Sequence, residues 1–168
     1  DAGIIYAATR KSVDKLYDAL RKKGIPAGRY HAGLSDEERK AMQEDFLYDR
    51  RPVMVATNAF GMGIDKSNVR YVIHYNMPKN LEAYYQEAGR AGRDGEPGEC
   101  LLLFSAGDIR TQQFLIENAT ESEERRQNNL HLLKKMIDYC RTPLCLRQFI
   151  LHYFNDDSAS EKCGRCGN

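Results

Sequence analysis

The sequence predicts a parallel α/β layered domain followed by a smaller, purely helical segment with a cysteine-rich end. Three observations lead there. Short apolar runs alternate with amphipathic stretches through the first hundred residues. Two of those runs, Val53-Met54-Val55-Ala56 and Leu101-Leu102-Leu103-Phe104, are continuously apolar, as expected of strands with helices on both faces of the sheet. After Phe104 the strand signal stops and helical periodicity takes over.

The elements follow in order. Gly3–Ala7 is the first strand candidate, and Ser12–Lys23 is a helix that Gly24 ends, glycine being the residue that best tolerates the left-handed turn after a helix. Ala27–His31 is the second strand. Ser35–Asp49 is the next helix, with Ser35 as N-cap and Glu38 three residues on, the signature of a capping box. Val53–Ala56 and Val69–Tyr75 are strands, Asn80–Arg90 a helix and Glu99–Phe104 the last strand. From about Gly107 to Phe154 the pattern is helical, interrupted near Ala119-Thr120 and at Pro143. Leu130, Leu132, Leu133, Met136 and Ile137 recur at helical spacing and read as core. Asn155–Asn168 is polar and rich in Cys and Gly, and a domain boundary is expected near residue 106, dividing 1–106 from 107–168.

Composition narrows the function. The chain has 168 residues, 25 basic and 24 acidic, a net charge of +1 and 42% hydrophobic residues. That length suits a single domain and is enough to bury a core. Near-zero charge excludes a polycation that grips nucleic acid or membrane by bulk charge, so any anion must be held by placed residues. No apolar run approaches the ~20 residues that span a bilayer, and nothing implies an oligomer. The start, Asp1-Ala2-Gly3-Ile4-Ile5, has neither a basic n-region nor an initiator Met, so a piece of a longer chain is expected. Five cysteines are too few and too uneven for a disulfide scaffold, and the four in the last 29 residues suggest a metal site instead.

Two segments carry chemistry. In Tyr84-Tyr85-Gln86-Glu87-Ala88-Gly89-Arg90-Ala91-Gly92-Arg93-Asp94-Gly95, two arginines three apart sit among three glycines at a helix end. Helical glycine costs up to ~1 kcal/mol against alanine. The compensation would be close backbone approach to an anion, with guanidinium forks that bind phosphate bidentately. A solvated arginine turn is the plain alternative. In the second segment the strand Val53–Ala56 runs into Thr57-Asn58-Ala59-Phe60-Gly61-Met62-Gly63-Ile64-Asp65-Lys66. Ligands of open parallel sheets sit beyond the carboxyl ends of strands, and this stretch puts a hydroxyl, an amide, flexible backbone and the Asp65 carboxylate there. Alone, its Gly-Met-Gly is equally an ordinary turn.

Taken together with Ile4-Ile5-Tyr6-Ala7-Ala8-Thr9-Arg10 and Tyr30-His31-Ala32-Gly33-Leu34, in this order and spacing, the sequence resembles the second motor domain of superfamily 2 helicases. In detail it resembles the RecQ family of DNA helicases, by its Ala-Phe-Gly-Met-Gly-Ile-Asp-Lys and Gln-Glu-Ala-Gly-Arg-Ala-Gly-Arg-Asp-Gly strings. The resemblance covers nearly the whole chain. It implies a RecA-like sheet and a helical zinc-binding subdomain, in an ATP-dependent enzyme stepping 3′ to 5′ along DNA in repair and recombination. Arg90 and Arg93 match arginines that reach across a cleft to the triphosphate, with Arg93 the better match for an arginine finger. Gln86 and Asp65 match positions facing the nucleotide. Thr9, Arg10, Thr57 and Asn58 match positions that hold phosphates of single-stranded or branched DNA. ATP and Mg²⁺ would be bound mainly by a first motor domain of the same polypeptide. No G-x-x-x-x-G-K-[ST] loop occurs in this sequence, and Asp36-Glu37-Glu38 reads as a helix start rather than a metal box, so this chain alone is expected to hydrolyse no ATP. The setting implied is cytoplasm or nucleoid, or nucleus in a eukaryote.

Cys163-Gly164-Arg165-Cys166 is a C-x₂-C knuckle of the kind structural zinc uses. The resemblance makes Cys145, Cys163 and Cys166 the first three ligands and places the fourth at the position after Asn168. Cys140 is expected to stay out of the site, Cys100 to be a small buried hydrophobe, His152 to be partly buried, and His31 to be structural or inter-domain. Two other classes stay open: an RNA helicase half, and a non-enzymatic α/β plus zinc interaction module.

Overall fold

The computed structural model describes residues 1–158 and 160–168. Eleven elements follow one another: β1 (Ala2–Tyr6), α1 (Arg10–Lys22), β2 (Ala27–Tyr30), α2 (Asp36–Leu47), β3 (Val53–Ala56), β4 (Val69–His74), α3 (Leu81–Ala88), β5 (Glu99–Leu102), α4 (Ala106–Glu117), α5 (Glu123–Arg141) and α6 (Leu146–Tyr153). The five strands form one sheet in the order β2-β3-β1-β4-β5. Every pairing is parallel. β1 lies at the centre, with Tyr6 level with Ala56 of β3 and with His74 of β4.

Local chemistry sets the boundaries. α1 begins two residues before the expected Ser12 because Thr9 caps it, its Oγ accepting the Ser12 N–H at 3.1 Å. Ser35 and Asn80 cap α2 and α3 in the same way, at 3.1 and 2.8 Å. Gly24 sits at φ +76°, and the Ile25 N–H reaches back to the Leu20 carbonyl at 3.0 Å, closing α1 in a Schellman turn.

β3 is buried along its whole length, as continuous apolarity implies. β5 is not: Leu101 is 46% exposed, and Leu103 just beyond the strand is 43% exposed. β5 is the edge strand, and of its apolar run only the alternate residues Leu102 and Phe104 pack against the helical cluster. Cys100 is likewise exposed, its thiol donating to the Ala88 carbonyl at 3.5 Å. His152 is also exposed and pairs with Asp157.

One apolar cluster, with Ile4, Phe46, Met54, Phe60 and Val72 at its heart, lies between the sheet and α2. A second joins Met77, Leu81 and Tyr84 to Ile116, Leu133, Met136 and Tyr139, so α3 and the helices α4–α6 share one core. Asp108, buried on α4, bolts the two parts together: its carboxylate accepts the Met77 N–H at 3.1 Å and the Asn76 amide at 3.0 Å. Asn76 in turn accepts the Ala8 N–H at 3.0 Å. No helix among the described residues is long and apolar enough to cross a membrane.

Candidate nucleotide and nucleic-acid interface

The carboxyl ends of the central strands carry most of the predicted residues. β1 opens into Thr9 and Arg10, β3 into Thr57 and Asn58, and β2 into His31. Ala7 donates to the Ala56 carbonyl at 2.9 Å and Thr57 to that of Tyr30 at 3.2 Å, so these exits lie side by side. Thr57 is buried, Thr9 half-buried, Asn58 and Arg10 exposed. The Thr9 hydroxyl is engaged at the start of α1, which places the positive end of that helix, with Arg10, on this edge. His31 is buried; its Nδ1 accepts the Gly33 N–H at 3.1 Å, so its Nε2 donates to Asp14 at 2.9 Å. Burial alone would raise the Asp14 pKa, but the hydrogen bonds from His31 and Arg29 outweigh it and hold the carboxyl below its ordinary value. His31 is thereby a brace between α1 and β2, in line with a structural role.

The loop after β3 is shaped by two glycines at φ +118° and +78°, Gly61 and Gly63. At Gly61 a side chain has no room: a Cβ there would lie 2.4 Å from Cζ of Arg90. The Arg90 guanidinium therefore rests directly on the Gly61 backbone, and its Nε is shielded without a hydrogen-bond partner. Tyr6 lies beneath, its hydroxyl donating to the Phe60 carbonyl at 3.3 Å. Burial pushes the Tyr6 phenol well above its ordinary pKa, while the Arg90 charge pulls the other way. The far end of the loop is anchored by Lys66, whose nearly buried ammonium donates to Asp49 at 2.7 Å and lies over the Phe46 ring. Asp65 and Met62 stay exposed, Met62 at 89%.

Arg93 differs from Arg90. It is exposed, and its Nε donates to the Gly89 carbonyl at 3.1 Å. Its loop turns on Gly92 (φ +69°) and Gly95 (φ +88°) and is held to the sheet by the Gly92 N–H to Val69 at 2.9 Å and the Asp94 N–H to Ser67 at 3.2 Å. Gln86 is exposed on α3 one turn before Arg90. The fold thus brings the arginine segment and the glycine loop into contact, with Arg90 seated and Arg93 presented. The Gly61 seat, the Tyr6 support and the anchoring of the Arg93 loop were not singled out from sequence. A lone arginine in the apolar strand Val69-Arg70-Tyr71-Val72, which pairs with Asp94 of that loop, is the available signal for the last.

At the other end, Cys145, Cys163 and Cys166 bring their sulfurs within 4.8 Å of one another. Cys145 and Cys166 lie 3.9 Å apart. A tetrahedral site with Zn–S near 2.3 Å needs sulfurs about 3.8 Å apart, so the donor set fits zinc in spacing and softness. Cys145 stands at the N-terminus of α6, where the Gln148 N–H lowers its thiol pKa to about 7, favouring the ligating thiolate. Cys140 remains outside the cluster, with burial pushing its thiol up to about 12.

Comparison with known proteins bears on both sites. Residues 1–95 match the helicase conserved C-terminal domain, and residues 106–168 match the RecQ zinc-binding family. The chain is 56% identical over 168 residues to the ATP-dependent DNA helicase RecQ of Bacillus subtilis, all of this chain and 28% of that protein. It is 43% identical over 166 residues to the putative ATP-dependent RNA helicase R290 of Acanthamoeba polyphaga mimivirus, 98% of this chain and 30% of that protein. The chain thus spans less than a third of the length of either relative. Among solved structures, a DEAD box protein from Methanococcus jannaschii superposes with a TM-score of 0.58 at 27% identity, over 69% of this chain and 32% of that one. The sheet is RecA-like, as expected. The chain belongs to the helicase conserved C-terminal domain family, and the zinc-binding segment behind that domain makes it RecQ-like.

Proposed function

We propose that this chain is the second motor domain, about residues 1–106, and the zinc-binding module, about residues 107–168, of an ATP-dependent 3′–5′ DNA helicase that works in repair and recombination, in the nucleoid or nucleus. The observation that carries this reading is the contact between the arginine segment and the Gly61 loop at the end of a parallel sheet, with one guanidinium seated and one presented.

Each residue then has a task. A first motor domain of the same polypeptide holds ATP and Mg²⁺ against this edge. Arg93 meets the charge that develops on the transferred phosphoryl group, a contribution worth about 10³–10⁵ in rate in GTPases. Arg90, already desolvated on one side by Gly61 and Tyr6, meets a phosphate with little further cost in solvation. Asp65 and Gln86 face the nucleotide. Thr9, Arg10, Thr57 and Asn58 hold phosphates of single-stranded or branched DNA, which gives grip without sequence readout and suits a translocating motor. Cys145, Cys163 and Cys166 would hold zinc, whose contribution is to cross-link the chain end to α6.

The test is DNA-stimulated ATPase of the full-length protein. Arg93→Ala should lower kcat at least a hundredfold while leaving the affinity for single-stranded DNA within a few-fold. An unchanged kcat sinks the arginine-finger assignment. The 43% identity to a protein named as an RNA helicase favours one second reading, an RNA-directed motor. Stronger stimulation and tighter binding by structured RNA than by DNA would establish it.

A further inference from the structure

Arg93 sits on a loop with two left-handed glycines, and such a loop has many conformations unless something restrains it. Near the start of β4 one side chain does so. Arg70, with its side chain 20% exposed, spreads its guanidinium across three points of the neighbouring chain. Nη2 pairs with the Asp94 carboxylate, Nη1 donates to the Pro97 carbonyl at 2.9 Å, and Nε donates to the Asn68 carbonyl at 3.4 Å. The Asp94 oxygen that takes this charge also accepts the Glu96 N–H at 3.0 Å, which folds the turn on itself. Asp94 follows Arg93 directly, and the pairing keeps its carboxyl below its ordinary pKa. Pro97 and Asn68 belong to separate segments, so the one guanidinium ties β4, the β3–β4 loop and the arginine loop together. Lysine could not do this, because a single ammonium lacks the planar fork that reaches three acceptors.

We infer that Arg70 is a positioning residue for Arg93: through Asp94 and Pro97 it fixes the loop so that the Arg93 guanidinium is presented in one orientation at the sheet edge. Arg70 touches no nucleotide in this role. It acts together with the Gly92 and Asp94 backbone bonds to Val69 and Ser67, removing the freedom they leave to the turn, so that the finger does not have to be ordered at the moment of reaction. The inference rests on the helicase reading above and adds to it a residue outside the recognised motifs.

The experiment uses the full-length protein with saturating single-stranded DNA. Arg70→Gln and Asp94→Asn should each lower kcat about tenfold, with KM for ATP and DNA affinity changed less than twofold and the melting temperature within a few degrees of wild type. Arg70→Lys should fall between Arg70→Gln and wild type, and the Arg70→Gln/Asp94→Asn pair should be no worse than the worse single change. The deciding readout is epistasis: on an Arg93→Ala background, Arg70→Gln should cost nothing further. Wild-type kcat in Arg70→Gln, or a full tenfold loss that persists without Arg93, overturns the clamp while leaving the helicase reading intact. If Arg70→Gln does not fold, the more exposed Asp94→Asn decides by the same two criteria. If Arg93→Ala is itself fully active, the finger reading fails first and the clamp falls with it.

Discussion

Gly61 determines where a guanidinium can lie. Its φ of +118° is a conformation that costs an L side chain on the order of 1–2 kcal/mol, and a Cβ would sit 2.4 Å from the Arg90 Cζ. Gly61→Ala should therefore move Arg90 off its seat. The expected outcome is a loss of about 1–3 kcal/mol in denaturant unfolding, strain and displaced packing combined, together with a fall in DNA-stimulated kcat larger than any change in DNA affinity. A substitution at Gly24 gives the contrast. It shares the left-handed conformation but has nothing within 4 Å of its Cβ, so only the strain would be felt and ATP turnover would stay put. Both glycines take positive φ, but Gly24 closes a helix with open space over it while Gly61 lies under the Arg90 guanidinium.

At the scale of elements, the weight falls on the joint between β4 and α4. Asp108 is 6% exposed and satisfies both the Met77 N–H and the Asn76 amide. Asp108→Ala removes the acceptor for the buried Met77 N–H and for the half-buried Asn76 amide, and a buried donor left without a partner typically costs about 1–3 kcal/mol. A lowered melting temperature checks this, and little effect would mean that water replaces the carboxylate. How much of this was legible beforehand depends on range. The caps at Ser35 and Gly24 were readable because capping is settled within four residues. All five strands and the first three helices were readable from periodicity, and so was the burial of Val53–Ala56. The exposure of Leu101 and Leu103 was not, because whether an apolar run is central or at an edge is decided by strand order, which periodicity does not encode. For the same reason Cys100 lies on the surface. Among the site residues, Arg90, Arg93 and the glycine loop stood out by their unusual local composition. Arg70 and Asp108 did not, since each acts on a segment about 24 to 32 residues away.

Over the whole molecule, the two matched regions share one apolar cluster. The apolar cluster of Leu81, Tyr84, Leu133, Met136 and Tyr139 puts α3, the helix that ends in the arginine segment, between the sheet and the zinc-binding helices. Stripping metal with a strong chelator should first loosen the residues beyond Tyr153, because zinc held by Cys145, Cys163 and Cys166 would tie them to the start of α6 beside the bonds of Asn168 to the Thr142 and Leu144 carbonyls. Hydrogen exchange should then show amides of α6 and of residues 155–156 losing protection well before those of β1, β3 and β4. Equal loss across the sheet would mean that the metal holds up the entire fold. The placement of α3 also bears on how the chain is made. Synthesis runs from the amino end, so β5 is complete while α5 is still unsynthesised, and until then Met77, Leu81 and Tyr84 have no cover on their outer side. A nascent chain of that length carries an unshielded apolar stripe next to its finished sheet, although every tie of the arginine loop to Ser67, Val69 and Arg70 is already available to it.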